Sequence, residues 1–143
     1  MRRAIELGMN VPSFPFGALI VDRRSADVLA EGWQKDNPIC HGEIDALNAL
    51  AKAHAGIDGT DLLLYTTAEP CPMCQSATLW AGIGTVIFGT SIEYLKNRGW
   101  WQIAITSAEI VRQADFRHCT LIGGVLEREC NALFESGQPS DRR

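Results

Sequence analysis

The sequence predicts an α/β domain built on a mixed sheet, and two stretches of the chain carry that prediction. Phe16 to Asp22 (FGALIVD) and Val28 to Trp33 (VLAEGW) are strand-like runs joined by the polar segment Arg23 to Asp27, the pattern of an antiparallel hairpin. Leu62 to Phe88 runs strand, helix, strand, a unit that joins parallel strands by a crossover. One sheet holding both pairings is mixed.

The remaining elements follow in order. Arg3 to Met9 places Ala4, Ile5 and Leu7 ahead of Gly8 and Pro12, which predicts a short opening helix. Gly17, at the head of the first strand, marks a point where backbone approaches a neighbour closely. His41 to His54 has Ile44, Leu47, Leu50 and Ala51 at helical spacing, with Gly56 as its stop. The unbroken run Asp61 to Thr67 (DLLLYTT) reads as a central strand covered on both faces. Pro72 to Ala81 is a helix with proline in its first turn and Gly82 at its end, and Thr85 to Gly89 (TVIFG) is a second buried strand. Beyond them, Ile92 to Arg98 and Ala108 to Gln113 read as short helices, Cys119 to Ile122 as a strand and Val125 to Phe134 as a closing helix. Ser136 to Arg143 reads as a disordered tail.

With 143 residues, 46% of them hydrophobic, the chain fills a single core, and residues 1–135 are read as one domain. A net charge of -4 and a pI near 5.3 supply no global positive field for a polyanion. A small, weakly charged substrate is therefore expected rather than tRNA or duplex DNA. Five cysteines, odd in number and irregularly spaced, make no disulfide framework. No apolar run reaches the roughly 20 residues of a membrane span, and the expected setting is the reducing cytoplasm.

Two local patterns carry chemistry: His41-Gly42-Glu43 at one helix start and Pro70-Cys71-Pro72-Met73-Cys74 at another. Cysteines so spaced on a first helical turn point their sulfurs the same way, close enough to share one tetrahedral ion, and helix amino ends stabilise thiolates. His41, Cys71 and Cys74 make three ligands for one zinc per subunit and leave a position for water, the mark of a catalytic rather than a structural site. Two thiolates and a neutral imidazole bring the site charge near zero, so zinc can lower the pKa of that water. Glu43 is placed to take the water's proton, deliver it to a ring nitrogen and protonate a departing amine, the transfers that hydrolytic deamination requires. Gly42 either lets its backbone N–H approach a ring carbonyl or serves local helix geometry alone.

A lone Cys-x-x-Cys also reads as a redox pair or as half of a structural zinc site. The redox reading leaves His41 and Glu43 unexplained, and a structural zinc needs a fourth ligand, for which Cys40 and His54 are the nearest candidates.

On His-x-Glu followed by Pro-Cys-x-x-Cys, the chain resembles the cytidine deaminase-like superfamily over roughly Phe16 to Gly89. The resemblance implies a three-layer α/β/α fold with a five-stranded mixed sheet between helices, a zinc-dependent deaminase activity and a homodimer. LLLYTTAEPCPMC and GTVIFGT are similar to the branch holding tRNA adenosine deaminases, bacterial guanine deaminases and fungal cytosine deaminases. Ala68-Glu69-Pro70-Cys71 is similar to the guanine and tRNA enzymes, whereas His41-Gly42-Glu43-Ile44 and YLKNRG, Tyr94 to Gly99, are similar to fungal cytosine deaminase. Ser91 to Trp101, SIEYLKNRGWW, departs from the Gly- and Ala-rich basic segment typical of the tRNA enzymes. The family's base-reading asparagine has no counterpart at its usual distance before the histidine. Gln34 takes that role here, with Asn37 as the alternative and Asn37-Pro38 read otherwise as a turn.

Trp100 and Trp101 read as a pair that stacks a planar base, or as core or interface packing. Glu93, Glu109 and Asp115 read as contacts to an exocyclic amine or as surface charges, and Cys119 and Cys130 as core. Leu79 and Trp80 are candidates for the dimer contact, with ordinary packing as the alternative. The leading expectation is hydrolytic deamination of a free nucleobase, nucleoside or related amino-heterocycle, of guanine or cytosine type. A tRNA adenosine-to-inosine deaminase is the second reading. A catalytically silent, zinc-stabilised binding module is the third, and it would not need Glu43.

Overall fold

Alternation along the first strand sets the layers. In β1 (Gly17–Asp22), Ala18 and Ile20 join a core cluster with Ala46, Leu47 and Leu50, while Leu19 and Val21 join another with Ala4 and Leu7. One strand therefore needs a helix on each face. The structure, a computed structural model, describes residues 1–137, so the tail read as disordered lies almost wholly outside the described residues.

β2 (Val28–Trp33) pairs antiparallel with β1 across a turn in which the Asp22 carboxylate accepts from the Arg24 and Ser25 N–H groups at 2.7 and 3.3 Å. The register shifts between Ile20 and Val21, a bulge in the hairpin. β3 (Leu62–Ala68) runs antiparallel to β1 and parallel to β4 (Thr85–Thr90), and β5 (Thr120–Ile122) closes the far edge parallel to β4. The order β2-β1-β3-β4-β5 is the expected five-stranded mixed sheet.

α1 (Arg2–Gly8) covers β1 and β3, and α6 (Glu127–Ala132) covers β4 on the same face, where a Cβ at Gly89 would meet Cys130. α2 (Gly42–Ala53) and α3 (Pro72–Trp80) lie side by side on the opposite face, with α5 (Ser107–Gln113) against α3. α4 (Ile92–Asn97) follows β4, and its Leu95 joins Ala68, Trp100 and Phe134 in a third cluster at the end of the sheet. Among the described residues no helix is long and apolar enough to cross a membrane.

Element boundaries fall within one residue of those expected, except in the closing helix, which spans Glu127 to Ala132 rather than Val125 to Phe134. Leu126 lies in the left-handed region at φ 51, and the Val125 N–H bonds to Phe88 O at 3.1 Å, so both belong to the turn after Gly124. A short 3-10 turn, Gly59–Asp61, capped by the Asp58 side chain, leads into β3 and was not expected.

The helix that carries His41 lies unusually close to the sheet. A Cβ on Gly32 would stand 2.3 Å from Ala46 N and 2.4 Å from Gly42 O, and one on Gly42 would stand 2.5 Å from Phe16 O. All of these neighbours are backbone, which cannot swing aside. Gly17 meets the same condition against α1, 2.2 Å from Ala4 O, as its position in the sequence implied. Gly32→Ala is expected to push α2 away from the sheet and lower stability by about 1–3 kcal/mol, read by urea unfolding.

Candidate active site

Two helices begin at one place. His41 is the N-cap of α2 and Cys71 the N-cap of α3, both extended at ψ 164 and 167, and neither side chain caps its own helix. They converge instead: His41 Nδ1 lies 3.6 Å from Cys71 Sγ and 3.5 Å from Cys74 Sγ, and the two sulfurs are 3.6 Å apart. Cys74 reaches the same point from the first turn of α3, one turn beyond Cys71, and Pro72 at the first helical position sets that turn.

Tetrahedral zinc, about 2.3 Å from sulfur and about 2.0–2.1 Å from nitrogen, spaces two sulfurs by about 3.8 Å and a sulfur and a nitrogen by about 3.5 Å. The observed separations match, so the three residues could hold one zinc with one coordination position left for a non-protein ligand. Among the described residues no fourth His, Cys, Asp or Glu joins this group. Cys40 stands outside it, and His54 is the C-cap at the far end of α2, about 18 Å along the helix.

The thiols are electrostatically unequal. Donation from Cys74, together with the neighbouring His41, holds the Cys71 thiol down to about 4 against its burial. Cys74 donates to Cys71 and is buried, which pushes its thiol far up. The pair therefore holds one easily lost proton and one retained.

Glu43 follows on the first turn of α2 with 3% exposure. Burial pushes its carboxyl above the usual range and the charge of Cys71 acts the same way, while His41 and the Cys74 thiol act against them. The Thr66 hydroxyl of β3 lies 3.2 Å from Glu43 Oε1, as its donor, and 3.1 Å from the Ala68 carbonyl. A strand two elements away thus orients the carboxyl.

Around this group the candidate residues separate. Phe16 stacks on the His41 ring, with centroids 6.3 Å apart and planes at 17°, and meets Trp100 edge-on at 5.5 Å. Trp100 is buried and its Nε1 donates to Phe134 O at 3.0 Å, so it packs as core, whereas Trp101 is 66% exposed. Gln34 is buried, and its Nε2 donates to Lys35 O at 3.0 Å and Asn37 O at 3.3 Å, holding the loop after β2. Asn37 Oδ1 accepts from the Ile39 N–H, which makes Asn37-Pro38 a turn. Gly42 is required by its close contact with Phe16 O, so local geometry alone accounts for the glycine.

Glu93 and Asp115 are exposed, and Glu109 is engaged by Arg112 and Gln113. Cys119, Cys130 and Leu79 are buried, and Trp80, 76% exposed, stacks on Phe116 at 4.6 Å. Sequence reasoning did not single out Thr66 or Phe16 for the site. It noted Glu69 only within a motif. In the fold the Glu69 carboxylate accepts from the Ile92 and Ser107 N–H groups, each at 2.9 Å, and the one local signal was an acid closing an apolar strand directly before Pro-Cys.

Zinc displaces the retained thiol proton, so its apparent affinity is expected to rise about tenfold per pH unit while Cys74 is still a thiol. Chelator competition at pH 6 and pH 8 reads this, and an affinity flat with pH would mean that both thiols were already ionised. Cys74→Ala is expected to lose the metal and lower the melting temperature.

Residues 1–90 match the cytidine and deoxycytidylate deaminase zinc-binding region. Guanine deaminase of Bacillus subtilis is 36% identical over 89 residues, covering 57% of this chain and 56% of that protein. The tRNA-specific adenosine deaminase of Rickettsia bellii is 30% identical over 98 residues, covering 64% of this chain and 68% of that protein. The chain thus spans a little over half the length of the first of these relatives. A solved guanine deaminase from Nitrosomonas europaea shares the fold, with a TM-score of 0.78 at 23% identity over 92% of this chain and 79% of that one. The match runs through His41, Cys71 and Cys74, where the fold has gathered three donors at zinc spacing, and the chain belongs to the cytidine and deoxycytidylate deaminase zinc-binding family.

Proposed function

We propose that the protein hydrolytically deaminates a free nucleobase, nucleoside or related amino-heterocycle of guanine or cytosine type, with His41, Cys71 and Cys74 holding one zinc per subunit. The observation that carries this reading is the buried carboxyl of Glu43 beside a three-donor group. A site that only held metal would gain nothing from burying an acid there, because a desolvated carboxyl is costly. Zinc in such a site supplies Lewis acidity that brings the ionisation of a water toward neutral pH.

The rest falls to the chain. Deamination exchanges a ring C–NH2 for C=O: water adds to the carbon, a ring nitrogen gains a proton, and the amine leaves as ammonia after protonation. Glu43 accepts the water's proton and returns it to nitrogen, and its burial-raised affinity for a proton suits a group that must both take and give. Thr66 holds the carboxyl in one orientation. Trp101 stacks on the planar heterocycle, the Gln34 amide oxygen and the Gly42 N–H meet its polar edge, and Phe16 keeps the His41 ring in place.

The net charge of -4 supports a small substrate over tRNA, the alternative that the Rickettsia relative keeps in view. The exposed stack of Trp80 and Phe116 supports a homodimer contact on the α3 face.

Ammonia release is the test, with guanine, cytosine, isocytosine, adenine, their nucleosides and tRNA anticodon stem-loops as substrates. Release is expected from a free base or nucleoside, and activity confined to RNA would overturn the substrate class. Glu43→Ala is expected to keep its zinc and lose about 100-fold to 10,000-fold in turnover. Undiminished turnover would remove Glu43 from the proton transfers.

A further inference from the structure

Glu69 sits between the end of β3 and the metal loop, outside the metal group, with 8% of its surface exposed. Its own N–H bonds to Thr90 O at 2.7 Å, at the end of the neighbouring strand. One carboxylate oxygen accepts from the Ile92 N–H and the other from the Ser107 N–H, each at 2.9 Å. These are the leading N–H groups of α4 and α5, which no carbonyl within either helix can satisfy. One buried carboxylate therefore pins both ends of the segment between them to the strand that leads into Cys71. Ser107 adds a further tie through its hydroxyl, which donates to Pro70 O at 2.9 Å.

The pinned segment borders the active site. Trp100, on the loop after α4, stands edge-on to Phe16, the ring stacked on His41. Trp101, Ile103 and Ile105 on the same loop are 66%, 60% and 40% exposed. A loop this rich in exposed apolar side chains, held directly at Ser107 and at its other end through α4, offers a preset wall for a flat ligand.

We propose that Glu69 is a positioning residue: by tying the starts of α4 and α5 to the metal loop, it sets the loop from 98 to 106 as the substrate-facing wall of the site. The substrate half of this inference rests on the deaminase reading, and the clamp itself does not. The carboxylate form is essential to the design, because two oxygens serve two donors. A glutamine has one oxygen, and its NH2 would face a backbone N–H, donor against donor. Bonds to a charged acceptor are also the stronger kind.

The test is Glu69→Gln in the full chain, read by amide hydrogen exchange, zinc content and steady-state kinetics on guanine or whichever base the unsubstituted chain deaminates. Exchange at the Ile92 and Ser107 amides is expected to rise by about tenfold or more, with zinc per chain unchanged and KM rising by a larger factor than kcat falls. Unchanged exchange at both amides, or a fall in kcat with KM unmoved, overturns the proposal. Ser107→Pro is a second variant for the case in which the glutamine variant does not fold. It removes the N–H that Glu69 accepts, together with the hydroxyl tie to Pro70 O, at a first helical position that accepts proline, after a Thr106 already extended at ψ 156. Ser107→Ala, which loses the hydroxyl alone, is its control. Here exchange is expected to rise within α5 while Ile92 stays protected, and protection retained throughout α5 overturns the clamp. An unsubstituted chain that releases no ammonia from any base counts against the deaminase reading, and the exchange result still decides the clamp.

Discussion

The metal group depends on how close a helix can come to a sheet. His41 heads α2, and α2 reaches its position because Gly32 and Gly42 put backbone where any other residue would put a side chain. Tight packing of this kind transmits small displacements undiminished, since the facing atoms are themselves main chain. Donors 3.5 to 3.6 Å apart tolerate little drift before one of them leaves the group. Gly32 thus acts on the metal group without touching it.

Aromatic packing completes the positioning from the other side. Phe16 immediately precedes β1, stacks on the His41 ring and meets both Trp100 and Phe134, so the histidine rests against a cluster assembled from three distant parts of the chain. Three buried polar groups nearby are tied into the fold: Glu43 by Thr66, Gln34 by the loop carbonyls and Glu69 by two helix starts. An unpaired buried carboxyl or amide costs stability, so these pairings lower the cost of placing polar groups inside the fold.

What could be read from the sequence was local. His41 and Glu43 share one helix start and Cys71 and Cys74 another, and the hairpin and crossover are each contained in a short stretch, so spacing alone identifies them. Thr66 and Glu69 were hidden because their partners lie 23 and 38 residues away and neither residue has a periodic signature. Gln34 was noticed for its amide, yet the loop turns that amide's hydrogens onto its own carbonyls, a choice the linear order does not reveal. The closing helix was read too long because Val125 and Leu126 are apolar in a helical pattern, while the turn after Gly124 commits one to Phe88 and the other to a left-handed conformation.

The N-cap positions of α2 and α3 carry a cost that the donor geometry conceals. A helix start ordinarily gains about 1 kcal/mol from a side chain that closes on its own free N–H groups. Here both caps turn away from their helices to face each other. Helix stability and the donor group thus compete for the same two residues: a better cap at either position would firm the scaffold and remove one of the three donors. A cation held by His41, Cys71 and Cys74 would join the two starts, so that two helix ends without side-chain caps would become a cross-brace once the site is filled.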